Sequence, residues 1–81
     1  MTLTIDSGAT IHAEETAGYH IVLNNGVFAG SISSGATFSG GAGKRIRIRS
    51  GCTGTLTIPT GWTAAGYVQD DSGGGLTIVE A

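Results

Sequence analysis

Apolar residues recur at every second position in short runs along the chain: Leu3/Ile5, Ile11/Ala13, Tyr19/Ile21/Leu23, Ile46/Ile48, Leu56/Ile58 and Leu76/Ile78. Period-two alternation is the mark of a half-buried strand, whose successive side chains point to opposite faces. Turn residues divide the runs: Ser7-Gly8, Asn24-Asn25-Gly26, Ser33-Ser34-Gly35, Gly40-Gly41, Ser50-Gly51 and Ser72-Gly73-Gly74-Gly75. The longest stretch without glycine runs from Ala9 to Ala17. That is shorter than the ~12 residues a marginal helix needs, and Ala13-Glu14-Glu15-Thr16-Ala17 within it reads as a loop. The pattern predicts one all-β domain over residues 1–81, built of short strands with frequent turns.

Internal repetition offers a choice of architecture. Ser7-Gly8-Ala9-Thr10 returns as Ser34-Gly35-Ala36-Thr37, 27 residues later. The same offset places Ile32 over Ile5, Phe38 over Ile11, Ile46 over Tyr19 and Ile48 over Ile21, and it falls one short for Ile58 over Ile32. Leu76/Ile78 lie 30 residues after Ile46/Ile48, so a third unit on this plan needs about three inserted residues near Gly73-Gly74-Gly75. One reading is a parallel β-solenoid of three rungs, three short strands to a rung, with glycine at corners that require positive φ. The other is a small antiparallel sandwich or barrel. Both leave open sheet edges, which are templates for pairing with other chains.

Composition sharpens that point. Leu, Ile, Val and Phe are only 18 of 81 residues, and 15 are glycine. A core this thin barely offsets an ordering cost of roughly 1.5 kcal/mol per residue, which predicts an oligomer, taken as a homotrimer. No apolar run approaches the ~20 residues of a membrane span, and no basic, apolar leader is visible at the N-terminus. The single Cys52 excludes an intramolecular disulfide and any multi-cysteine zinc site, and suits a reducing cytoplasm.

Net charge is −2, against nucleic acid as the default partner. Its distribution says more. All four cations, Lys44, Arg45, Arg47 and Arg49, fall within six residues, and the acids Asp6, Glu14, Glu15, Asp70, Asp71 and Glu80 lie elsewhere. As a strand, this segment turns Ile46 and Ile48 to one side and sets Arg45, Arg47 and Arg49 about 7 Å apart on the other. Such a row is a solvated face that discourages edge aggregation, a docking row for an acidic protein surface, or a phosphate contact.

Catalytic and metal chemistry find little support. His12 and His20 alternate with apolar neighbours and should face outward, so convergence with Glu14 on a metal is not expected. Cys52 reads as a half-buried structural thiol. Ser39-Gly40-Gly41-Ala42-Gly43-Lys44-Arg45 lacks phosphate-loop spacing and precedes a strand, not a helix. Adjacent acids in Glu14-Glu15 and Asp70-Asp71 would point to opposite faces of a strand. The chain is therefore read as non-enzymatic, without cofactor or metal. Trp62 follows the turn Pro59-Thr60-Gly61, where it is a core residue, an interface anchor or a sugar platform with Tyr67.

Thr-Leu-Thr-Ile at 2–5 and 55–58, Ser-Gly-Ala-Thr at 7–10 and 34–37, and the ending Gly-Leu-Thr-Ile-Val-Glu-Ala give the chain a recognisable texture. It resembles the small β-rich virion proteins of tailed bacteriophages: capsid decoration (cement) proteins and the β-helical pieces of fibres and spikes. The resemblance implies an oligomeric, non-enzymatic structural protein, assembled in the host cytoplasm and located in the virion. The first function it implies is stabilisation of a capsid lattice by binding the major capsid protein, with Arg45, Arg47, Arg49 and Trp62 as candidate partner-binding residues. The alternative is a fibre or spike module that binds a host glycan. A chain that starts at Met1 and ends after a strand is expected to be a whole small gene product, which favours the first.

Overall fold

Each alternating run becomes a strand because its inward residues are buried and its outward ones wet. The computed structural model describes residues 1–14, 18–41 and 43–81. These form nine strands and no helix: β1 (Thr2–Ile5), β2 (Thr10–Ala13), β3 (Ile21–Leu23), β4 (Gly26–Ile32), β5 (Thr37–Gly40), β6 (Ile46–Ile48), β7 (Cys52–Ile58), β8 (Val68–Asp70) and β9 (Leu76–Glu80). The expected loop over 13–17 lies partly outside the described residues.

The strands assemble into three sheets, ordered β1-β4-β7-β9, β2-β5 and β3-β6-β8. The chain visits the three in turn and then lays its next strand beside an earlier one. All six described pairings are parallel, so the antiparallel alternative is not how these strands meet. The inward faces share one core, whose centre is Ile46, Ile48, Leu56 and Ile58, each 0% exposed.

The 27-residue offset holds for the first pairing on two of the sheets. Ile5 pairs with Ile32 and Ile11 with Phe38, both at that offset. It fails on the third, where Ile46 lies beside Ile21 and Ile48 beside Leu23, an offset of 25. The expected Tyr19–Ile46 and Ile21–Ile48 stacks are therefore displaced by two residues. The cause is a corner: residues 14–20 join β2 to β3, whereas residues 41–45 suffice to join β5 to β6. A second correction concerns the end of the chain. Leu76 and Ile78 do not follow Ile46 and Ile48. They return to the first sheet, opposite Gly54 and Leu56, at an offset of 22. The third turn is shortened, not lengthened, because residues 59–67 form a loop where a third strand of the second sheet would lie.

Two glycines set how closely the first sheet packs. Gly30 stands between Leu3 and Leu56, and Gly54 between Phe28 and Leu76. Their φ angles are 148° and 107°, and a Cβ would lie 1.7 Å from the Leu3 carbonyl oxygen and 1.9 Å from that of Phe28. Each glycine leaves room that its large neighbours fill.

Candidate docking face and aromatic corner

The basic segment does not form a straight row. Arg47 is the outward residue of β6, between Val22 of β3 and Gln69 of β8. Its Nε lies 3.4 Å from Asp71 Oδ2, and Asp71 is held in place by its own backbone N–H, which donates to Ile48 O at 2.7 Å. Gln69 ties the face together. Its Nε2 donates to Asp71 Oδ2 at 3.3 Å, and its Oε1 accepts from Lys44 Nζ at 3.3 Å and from the Tyr19 hydroxyl. Both partners of the Arg47–Asp71 pair keep more than a third of their side chain in water. Such a pair is worth about 0–1 kcal/mol. Arg49, just past β6, is exposed.

Arg45 leaves the row altogether. Its guanidinium carbon lies 3.9 Å from the centre of the Tyr67 ring, 5.1 Å from Trp62 and 5.2 Å from Phe38. The ring faces carry negative quadrupole charge, which attracts the cation. Backbone bonds fix the arrangement: the N–H groups of Arg45 and Ile46 both donate to Tyr67 O, at 2.8 and 3.0 Å. The rings also meet one another edge to face, Phe38 on Trp62 at 5.1 Å and Trp62 on Tyr67 at 5.8 Å. Trp62 is 6% exposed. It occupies the place above Ile11 and Phe38 that the missing third strand would have filled. Of the readings open to Trp62, the structure selects the core residue, not the presented anchor or sugar platform. The loop that carries it closes on itself, with Trp62 N–H donating to Pro59 O and Tyr67 N–H to Trp62 O.

His12 faces outward as expected, its Nδ1 2.9 Å from Ser39 Oγ. His20 does not. Its ring packs edge-on against Phe38 at 5.3 Å, and its Nε2 lies 2.7 Å from Ser39 O. A carbonyl only accepts, so Nε2 carries the proton, and Nδ1 is left buried without a hydrogen-bond partner. The two imidazoles thus both meet Ser39, His12 at its hydroxyl and His20 at its carbonyl. Among the described residues no three His, Cys, Asp or Glu side chains gather as a metal site, and no cavity is present. Cys52 is more deeply placed than expected, 1% exposed, with its thiol donating to Asn24 O at 2.9 Å.

Sequence reasoning missed the outer face of the first sheet. The registers align Thr2, Ala29, Thr55 and Thr77 in one line across the four strands, and Thr4, Ser31, Thr57 and Val79 in the next. No charged residue stands in either line. The signal was present in the repeated Thr-Leu-Thr-Ile, whose two threonines share a face. The three outer faces therefore differ: neutral and hydroxyl-rich, histidine-bearing, and charged.

No protein-family model, curated protein or solved structure matches the chain.

Proposed function

We propose that this chain is a non-enzymatic assembly protein: a short β-solenoid that docks in a fixed orientation on a larger protein lattice. Capsid decoration of a tailed-phage virion is the reading its sequence texture suggests, with the protein acting as an oligomer on capsid subunits. The observation that carries the docking role is the contrast between faces. Charge is concentrated on the outer side of β3-β6-β8 and its flank, where Lys44, Arg47 and Arg49 lie, while the threonine face carries none. A molecule with one charged face is steered and oriented on an acidic surface more than it is tightly held.

The docking residues under this reading are Arg47 and Arg49. Arg45 and Trp62 act inside the molecule and support the face from behind. The glycan-binding alternative relied on an exposed Trp62 and finds no such platform here.

The test is occupancy on purified particles. The Arg47→Ser, Arg49→Ser double variant should fold normally and attach poorly, and raised salt should release the unmodified protein, since exposed charges are screened beyond about 8–10 Å. Full occupancy of the double variant would remove the charged face from the mechanism. Glycan binding by the unmodified protein that survives in the double variant would favour the spike module.

A further inference from the structure

The two ends of the stack are finished differently. At the C-terminal end two of the core columns run out into carboxylates, while the others finish in Leu76 and the half-buried Val68 and Ile78. Asp70 stands next in line after Leu23 and Ile48, and Glu80 after Ile58. Both are exposed and already engaged: Asp70 Oδ1 accepts from Ser72 N–H at 2.9 Å and Oγ at 2.6 Å, and Glu80 Oε1 accepts from Gly61 N–H. The Trp62 loop covers the remaining side. Charges set on inward columns are a known device for blocking further strand addition, because a strand laid over them would bury a carboxylate without a partner.

Among the described residues the N-terminal end has no such closure. Its columns finish in Leu3, Ile5, Ile11, Ile21 and Leu23, all apolar. Leu3, Ile11 and Ile21 are only half-buried, whereas Ile46 and Leu56 further along their columns are fully buried. The outer edges of β1, β2 and β3 border this end, and no described segment crosses it. Stacked-repeat proteins need a polar terminal turn to stay soluble alone, and the inward residues of β1, β2 and β3 are apolar.

We infer that the N-terminal end is an interface between two copies of this chain. The carboxylates at the opposite end select the partner. Head-to-tail stacking would press Asp70 and Glu80 against the apolar columns of the next copy, so an open-ended fibre is excluded. Joining two N-terminal ends uses one patch twice and closes after two copies. A two-fold axis normal to the first sheet sets β1 antiparallel to the second copy's β1, and sets β2 against the second copy's β3. The two first sheets then continue as one sheet of eight strands, and the half-buried end residues are covered.

Affinity follows from size. The three strands at this end have 4, 4 and 3 residues. At about 3.3 Å per residue each strand-borne side is only ~10–13 Å long. Such an end falls short of the ~800 Å² per partner of a tight complex, so the pair is reversible. This inference concerns the free protein and does not depend on the docking role proposed above. It replaces the trimer expected from composition with a pair.

Sedimentation velocity from low micromolar to near-millimolar protein tests it. The mass should rise from one chain to two and stop there. Ile11→Lys, which places an ammonium at the open end, should weaken the pair about tenfold or more, the effect of 1.4 kcal/mol. Thr77→Lys, at the opposite end, should leave it unchanged. Hydrogen exchange at both concentration limits keeps the test decisive if Ile11→Lys does not fold. The amides of β1, β2 and β3 should gain protection with concentration, and those of β8 and β9 should not. A mass fixed at one chain, growth to three copies or beyond, or protection gained at β8 and β9 would each overturn the inference.

Discussion

Replacing Arg45 by alanine removes a cation held over three aromatic rings, and its cost can be worked from the geometry. A cation over an aromatic face contributes about 0.5–1 kcal/mol when exposed and about 2 when desolvated. Arg45 is half-buried and closest to Tyr67, at 3.9 Å, which places the electrostatic part at about 1–1.5 kcal/mol. Its aliphatic stem adds lost packing, for a total near 2 kcal/mol. A chain of this length has a stability of about 4–12 kcal/mol at the usual ~0.05–0.15 per residue, so the loss is a sizeable fraction. With a urea slope of about 1 kcal/mol per M for a small domain, the midpoint should fall by roughly 2 M. Trp62, the only tryptophan, reports unfolding through its emission and sits inside the cluster being altered. Arg49→Ala is the control and should move stability by less than about 0.5 kcal/mol, as exposed substitutions do. Tyr67→Leu, alone and combined with Arg45→Ala, completes a double-mutant cycle, with an expected coupling of about 0.5–1.5 kcal/mol. Equal midpoints for Arg45→Ala and Arg49→Ala, or a cycle additive within about 0.3 kcal/mol, would refute the stacking argument.

Ile48→Ala, at a fully buried site, should cost about 2–5 kcal/mol in urea unfolding and leave little folded protein. Arg47→Ala on the same strand should cost under about 1 kcal/mol, because both side chains of its ion pair keep over a third of their surface in water. Gly54→Ala should destabilise by more than about 1 kcal/mol, since its Cβ would meet the Phe28 carbonyl; circular dichroism melts would show it as a lowered Tm. Cys52 should resist thiol reagents in the native state and react only as fast as the protein unfolds.

How far the sequence revealed this fold depends on the element considered. The stacked pairs Ile5/Ile32 and Ile11/Phe38 were legible because the corners joining those strands have equal length in both turns. The register of Ile46 and Ile48 was not, because inward/outward alternation gives a strand's face but not the length of the corner before it. Strand β4 was hidden by Gly30, which occupies an inward position where the pattern rule expects a large apolar side chain. The arginines were assigned one shared face on the premise that the strand begins at Arg45. It begins at Ile46, and one residue outside the ladder freed the Arg45 side chain to swing to the rings. Phe38 lies 24 residues before Trp62 in the chain, and only the shortened third turn brings the loop of Trp62 and Tyr67 onto it.

The first and last strands of the chain, β1 and β9, are opposite edges of one sheet, and this determines how the molecule bears load. Tension between the termini acts across the strands, so the ladders of hydrogen bonds open one after another, as in a zipper, and do not shear together. Mechanical resistance should therefore be low, and extension should come in steps of one turn. Turns of 27 and 22 residues, read from the Ile5–Ile32 and Leu56–Ile78 pairings, correspond to releases of ~75–90 Å of extended chain. A lattice that strained this protein end to end would peel it turn by turn, whereas load applied through the sheet faces would leave the ladders intact.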